Sequence, residues 1–178
     1  VDPEIERLQK EIARRLGLPL RSSNTTSSNM VDAQAAYESE MSLWGSIMGG
    51  ANLVYHAAGW LESGLTASFE KLIVDAEMLQ MMAEVLRPIE VNADQLALEA
   101  IAGVEPGGHH FGTAHTLAHY EHAFYAPMVS TRQNFENWQE AGSLDTARRA
   151  NTLWKQMLAE YQRPPMDPAV EEALNDYV

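Results

Sequence analysis

The chain contains no cysteine. That excludes disulfides and thiolate metal sites, and it suits a cytoplasmic protein. Lysine is scarce as well: Lys10, Lys71 and Lys155 are the only ones, and no basic cluster exceeds two residues. With a formal net charge of −13, this argues against nucleic acid as a partner, because such binders concentrate positive charge on one face. No apolar run approaches the roughly 18–20 residues of a membrane span, and no signal peptide opens the chain, so no membrane partner is expected. What remains is a 178-residue chain, 46% hydrophobic and 21% charged, enough for one domain with a sizeable core. An acidic surface suits a cationic ligand or a partner with a basic face, and it serves solubility equally well. Val1 starts mid-pattern without Met, so the sequence reads as a piece of a longer protein.

The segment PEIERLQKEIARRLG places Ile5, Leu8, Ile12 and Leu16 at helical spacing and closes on Gly17. LPLRSS follows as a short strand, then SSNTTSSN (22–29) as a loop without a hydrophobic anchor. In DAQAAYESEMSLWGSIMGG, the residues Ala33, Tyr37, Met41, Trp44 and Met48 share one helical face, and Gly49-Gly50 ends it. ANLVYHAAG (51–59) suits a buried strand or, by pattern alone, a buried helical turn. A long helix follows, with a stripe of Leu65, Phe69, Leu72, Ile73, Ala76, Leu79, Ala83 and Leu86. Its Met78, Met81 and Met82 read as core or interface filling. Further helices are predicted at 92–104, at about 144–161 with Ala147, Ala150, Trp154, Met157 and Tyr161 on one face, and from Asp167-Pro168 onward. Strands alternating with helices in the first half indicate an α/β fold with parallel strands, and the second half is helical. No repeat of fixed period occurs.

Five of six histidines fall in GGHHFGTAHTLAHYEHAF (107–124). If a helix starts at Thr113, a plausible N-cap, then His115, His119 and His122 lie at i, i+4 and i+7, the way a helix presents metal ligands. Gly107 and Gly108 permit a sharp turn or a close backbone approach before it. Such a metal site needs all three histidines or a carboxylate in place of one. Glu121 lies off that face.

Several segments together resemble the C-terminal part of the trimethylamine methyltransferase (MttB) family. They are DAQAAYE (32–38), GANLVYHAAGWLESGLTASFEK (50–71), GGHHFGTAHT (107–116), FENWQEAGSLDTARRAN (135–151) and PPMDPAVEEALNDYV (164–178). They occur in the family's order and span about four-fifths of the chain. The resemblance implies the C-terminal part of a (β/α)8 TIM barrel followed by C-terminal helices. On this reading 1–104 supply barrel βα units and 105–178 a helical segment. It also implies a corrinoid-dependent methyltransferase, which moves a methyl group from a tertiary or quaternary amine to the Co(I) corrinoid (cobalamin) of a partner protein. The chain itself then binds no cofactor. One branch of the family carries pyrrolysine and uses trimethylamine; the other lacks it, and its characterised members use quaternary amines such as glycine betaine. This chain contains no pyrrolysine, which points to the second branch. An eight-unit barrel takes roughly 250 residues, so the chain alone is expected to be inactive. Cut strand edges would make it self-associate, hence a homo-oligomer.

Demethylating a quaternary ammonium requires the cation to be held with one methyl aimed at the acceptor. Aromatic faces and carboxylates do this, at the carboxyl ends of barrel strands. The candidate substrate-binding residues are therefore Asn24, Tyr55, His56, Trp60 and Glu62, with Arg21 or His56 available to a betaine carboxylate. The resemblance adds His109 and His115. Each has a plainer reading: Tyr55 and Trp60 as packing, Glu62 as a solvated loop charge. The family pattern supplies neither His119 nor His122, so no metal is expected. Imidazoles hydrogen-bonding the barrel rim, or meeting the corrinoid protein, fit better. The competing interpretation is a non-catalytic helical module that binds a metal or a partner through His109–His122.

Overall fold

The computed structural model describes residues 3–24 and 26–177; Thr25, within the predicted loop, lies outside them. Helix α1 (Pro3–Leu16) ends on Gly17 and helix α2 (Ala33–Met48) on Gly50, both at positive φ. At each end the next residue donates six-to-one to the last turn, Leu18 N to Ala13 O at 2.9 Å and Ala51 N to Ser46 O at 3.0 Å. This Schellman closure explains why glycine stands at both positions. Asp32 caps the start of α2 through Ala35 N.

Strands β1 (Arg21–Ser23) and β2 (Leu53–Tyr55) pair in parallel, with Arg21 opposite Leu53 and Ser23 opposite Tyr55. Helix α2 makes the crossover, so 21–55 is a βαβ unit, and the α/β alternation read from the sequence holds here. A small antiparallel hairpin follows, β3 (Trp60–Leu61) with β4 (Thr66–Ala67), which the sequence pattern did not indicate. The rest is helical: α3 (Phe69–Val85), α4 (Ala93–Leu96), α5 (Leu98–Ala102), α6 (Ala114–His119), α7 (Phe135–Glu140), α8 (Thr146–Glu160) and α9 (Pro168–Tyr177). The protein is thus a helix-rich mixed α/β structure.

Helix α3 is the centre of the molecule. On one side Met78 and Met82 pack with Leu43 of α2; on the other Ile73 packs with Val129 and Ala150 of α8. Its buried surface differs from the predicted stripe. Lys71, Asp75 and Glu77 are buried, whereas Phe69 and Leu72 are largely exposed. Leu65 precedes the helix, which starts at the Ser68 cap. The reason is polar pairing. Lys71 Nζ donates to Asp75 and, at 2.7 Å, to Ser39 Oγ. Glu77 accepts from the backbone of Val129 and from both the backbone and hydroxyl of Ser130. Charges satisfied in this way can be buried.

The face of α2 is likewise inverted. Ala35, Ser39, Ser42 and Ser46 are buried at i, i+4, i+7 and i+11, while Tyr37, Met41 and Met48 are exposed. Small residues allow close approach to α3, and Ser46 Oγ bonds Ser22 Oγ at 2.7 Å and Ser42 O at 2.8 Å. In α8 the predicted face is buried only at its start: Ala150 is inaccessible and Met157 and Tyr161 are exposed. The predicted helix 92–104 is split at Ala97, whose φ of 49° and ψ of 29° break the run into α4 and α5. Ala169 N donates to the Asp167 carboxylate at 2.8 Å, as a cap at the start of α9.

Candidate functional site

Two groups of side chains stand apart from the packing. The first lies at the carboxyl ends of the parallel strands. Tyr55 ends β2 and His56 follows at φ +53°, an unusual conformation for a non-glycine residue. The Tyr55 and His56 rings meet edge to face at 3.9 Å, and His56 meets Trp60 at 5.2 Å and 82°. Arg21 sits over the Tyr55 ring at 4.9 Å. A hollow of about 210 Å³ is lined by His56, Trp60, Ser63 and Gly64.

Its floor is held by strained backbone with defined supports. Glu62 and Ser63 have φ of +50° and +56°. Glu62 N donates to Ser28 O at 3.0 Å and Ser63 N to Thr26 O at 2.6 Å, so the loop after β1 clamps this turn. Strain retained by such over-determined contacts is common at ligand sites. The Glu62 carboxylate is engaged by the Thr66 hydroxyl at 2.5 Å and is largely exposed. Gly59 N donates to buried Asp75 at 2.9 Å, which ties the residue before Trp60 to α3. Burial pushes the Lys71 ammonium below its ordinary pKa, and the adjacent Asp75 carboxylate opposes that.

Asn24 is buried, and its amide donates to Ala57 O at 2.8 Å. Its Oδ1 and the Oγ1 of buried Thr26 have no hydrogen-bond partner among the described residues. Such orphaned acceptors at a strand end are notable, because buried polar atoms are nearly always paired. Of the sequence-derived candidates, Asn24, Tyr55, His56, Trp60 and Glu62 therefore share one neighbourhood. Thr26 and Ser63 are additions that polarity alone did not single out.

The second group holds His109 and His115. His109 packs against Phe111 at 5.3 Å. The turn before α6 is as the sequence indicated: Gly107 has φ +84°, and a Cβ on Gly108 would come within 2.9 Å of Glu105 O. Thr113 caps α6 through Thr116 N. The helix stops at His119, so His122 does not continue its face and the three-histidine set is not formed. In its place the carboxylate of Asp94, on α4, lies 3.0 Å from His119 Nε2 and 3.9 Å from His115 Nε2. No helical periodicity links Asp94 to α6, which is why the sequence did not reveal it.

A βαβ unit with an aromatic-walled hollow at its carboxyl edge defines the class: a helix-rich mixed α/β protein with a candidate strand-end site. A protein-family model described as trimethylamine methyltransferase (MTTB) matches residues 4–178. The chain belongs to that family. It is 36% identical over 169 residues to a glycine betaine methyltransferase of Desulfitobacterium hafniense, covering 94% of this chain and 35% of that protein. It is 32% identical over 158 residues to the trimethylamine methyltransferase MttB2 of Methanosarcina mazei, covering 88% and 32%. A trimethylamine methyltransferase MttB of D. hafniense is 31% identical over 151 residues, covering 85% and 30%. The chain spans about a third of the length of these relatives.

Proposed function

We propose that the chain is the C-terminal part of a corrinoid-dependent methyltransferase whose substrate is a tertiary or quaternary amine of the trimethylamine or betaine type. Residues 1–104 contribute the last βα units of a (β/α)8 barrel and residues 105–178 its C-terminal helices. The observation that carries this reading is the Tyr55–His56–Trp60 cluster at the carboxyl edge of a parallel strand pair, in a chain of this family.

The site chemistry is positional. A quaternary ammonium has no N–H to exchange with a base, so for such a substrate the protein must orient it rather than move a proton. Trp60 and Tyr55 offer π faces to the cation, Glu62 offers counter-charge, and Asn24 Oδ1 offers an acceptor that has no partner among the described residues. Arg21 or His56 meets a carboxylate when the substrate is a betaine. The Co(I) corrinoid of a partner protein would supply the nucleophile and take up the methyl group, the electron pair of the broken C–N bond remaining on nitrogen. Tyr55 and His56 are exposed, and that leaves the hollow accessible to an acceptor on a second protein.

The test uses the full-length protein with its corrinoid partner, reduced cobalt, and glycine betaine or trimethylamine in turn. Mass-spectrometric detection of the amine lacking one methyl is the expected result, and no demethylation of any methylated amine overturns the reading.

A further inference from the structure

Asp94, His115 and His119 come from two separate helices and converge. His115 and His119 occupy i and i+4 on α6, with ring centroids 4.4 Å apart. Asp94 stands in the first turn of α4, whose start is fixed by Asn92 accepting from Gln95 N at 2.8 Å. One nitrogen or oxygen from each of the three lies within 4.8 Å of the other two. Among the described residues this is the group with such convergence of metal-ligating atoms. We propose that these three side chains form a binding site for one divalent transition-metal ion of the zinc class.

Four arguments carry it. The donor set, two imidazoles and one carboxylate, is the composition that leaves one or more coordination positions open on a zinc-type ion. Two histidines at i and i+4 on a helix are the spacing by which zinc is held from one face. The geometry needs little adjustment, because ligand atoms about 2.0–2.2 Å from one ion lie roughly 3.0–3.6 Å apart. The 3.0 Å separation of His119 Nε2 from Asp94 Oδ2 already meets this, and His115 Nε2 lies 3.9 Å from the other carboxylate oxygen, Oδ1. His115 Nε2 now contacts the Asp94 main-chain oxygen at 2.8 Å, which keeps its ring beside the carboxylate.

The fourth argument is what surrounds the cluster. A cavity of about 980 Å³ between α4, α5 and α6 is lined in part by Asp94 and His115, together with Asn92, Leu96 and Thr113. It offers room for water or a small ligand at the open positions. The overall charge of −13 attracts a cation rather than repelling it. The site is independent of the methyl-transfer reading, and its test does not use turnover.

The full-length protein, stripped with chelator and free of histidine tags, is titrated with Co2+ and then with Zn2+ as competitor. One equivalent of Co2+ with visible d–d absorption, displaced by Zn2+, is expected. His119→Ala and Asp94→Asn each lose that equivalent, whereas His122→Ala retains it. Far-UV circular dichroism confirms that the variants are folded, and His119→Gln serves as the milder substitution if His119→Ala is not. Absence of tight Co2+ and Zn2+ binding at micromolar concentrations overturns the proposal. So does binding that survives in both the folded His119 and Asp94 variants, since the ion then sits elsewhere.

Discussion

At the scale of single residues, the buried Lys71–Asp75 pair matters most for what lies around it. Asp75 neutralises an ammonium that is 1% exposed and also holds Gly59 N, so it fixes the approach to Trp60. Asp75→Ala leaves a buried charge without its partner, which costs about 3–5 kcal/mol; urea denaturation of the full-length protein measures it. Glu70 gives a pH prediction. It accepts from Asn151 at 2.6 Å and Trp154 at 2.8 Å, and these bonds hold its pKa at about 2. The folded value is depressed below the unfolded one of about 4.5. Its stabilisation is therefore present above pH 4.5 and is lost as pH falls toward 2. Glu70→Gln should flatten the decline of the urea midpoint between pH 5 and pH 3. At the candidate substrate site, Trp60→Ala should lower kcat/KM for the methylated amine roughly 3- to 30-fold, the range of a cation–π contact, with Trp60→Phe retaining more activity.

At the scale of elements, α2 and α3 are specified by different rules than their apolar periodicity suggests. The Ala35–Ser39–Ser42–Ser46 stripe sets how closely α2 sits on α3. Ser39→Leu should destabilise by about 1–3 kcal/mol through overpacking and loss of the Lys71 contact. Tyr37→Ala, on the exposed face, should change stability by no more than about 0.5 kcal/mol. Thermal or urea unfolding separates the two, and the apolar-stripe picture predicts the reverse order. Helix ends were more legible. Gly17 and Gly50, the Thr113 and Asp167 caps and the stop after Leu86 all act locally, through bonds within a few residues of themselves. Burial of Lys71, Asp75 and Glu77 was not legible, because each depends on partners 4 to 53 residues away.

At the scale of the whole molecule, much apolar surface is uncovered. On α1, Ile5, Leu8, Ile12 and Leu16 are each more than half exposed, despite forming the face the sequence marks as buried. Leu53 and Tyr55 are exposed on β2, in a sheet that has two strands among the described residues. Residues 1–178 on their own should therefore self-associate, and light scattering should report a mass above the 19.8 kDa of one chain. If the full-length protein is the proposed barrel, further strands beside β1 or β2 cover these surfaces, and hydrogen exchange at Leu53 and Val54 should then be slower than in residues 1–178 alone.

The sequence by itself determined the family, the βαβ order of the first half and several helix termini, and it marked Asn24, Tyr55, His56, Trp60 and Glu62 as candidates. These follow from motif and short-range chemistry. Only the tertiary structure decided which face of α2 and α3 is buried. It alone replaced the i, i+4, i+7 histidine row by a pair joined with Asp94, and it alone left Asn24 Oδ1 and Thr26 Oγ1 without partners among the described residues. The physical reason is common to all three. A helix pattern records what each face is made of, whereas pairing between distant charges, hydroxyls and imidazoles is settled by which helices meet.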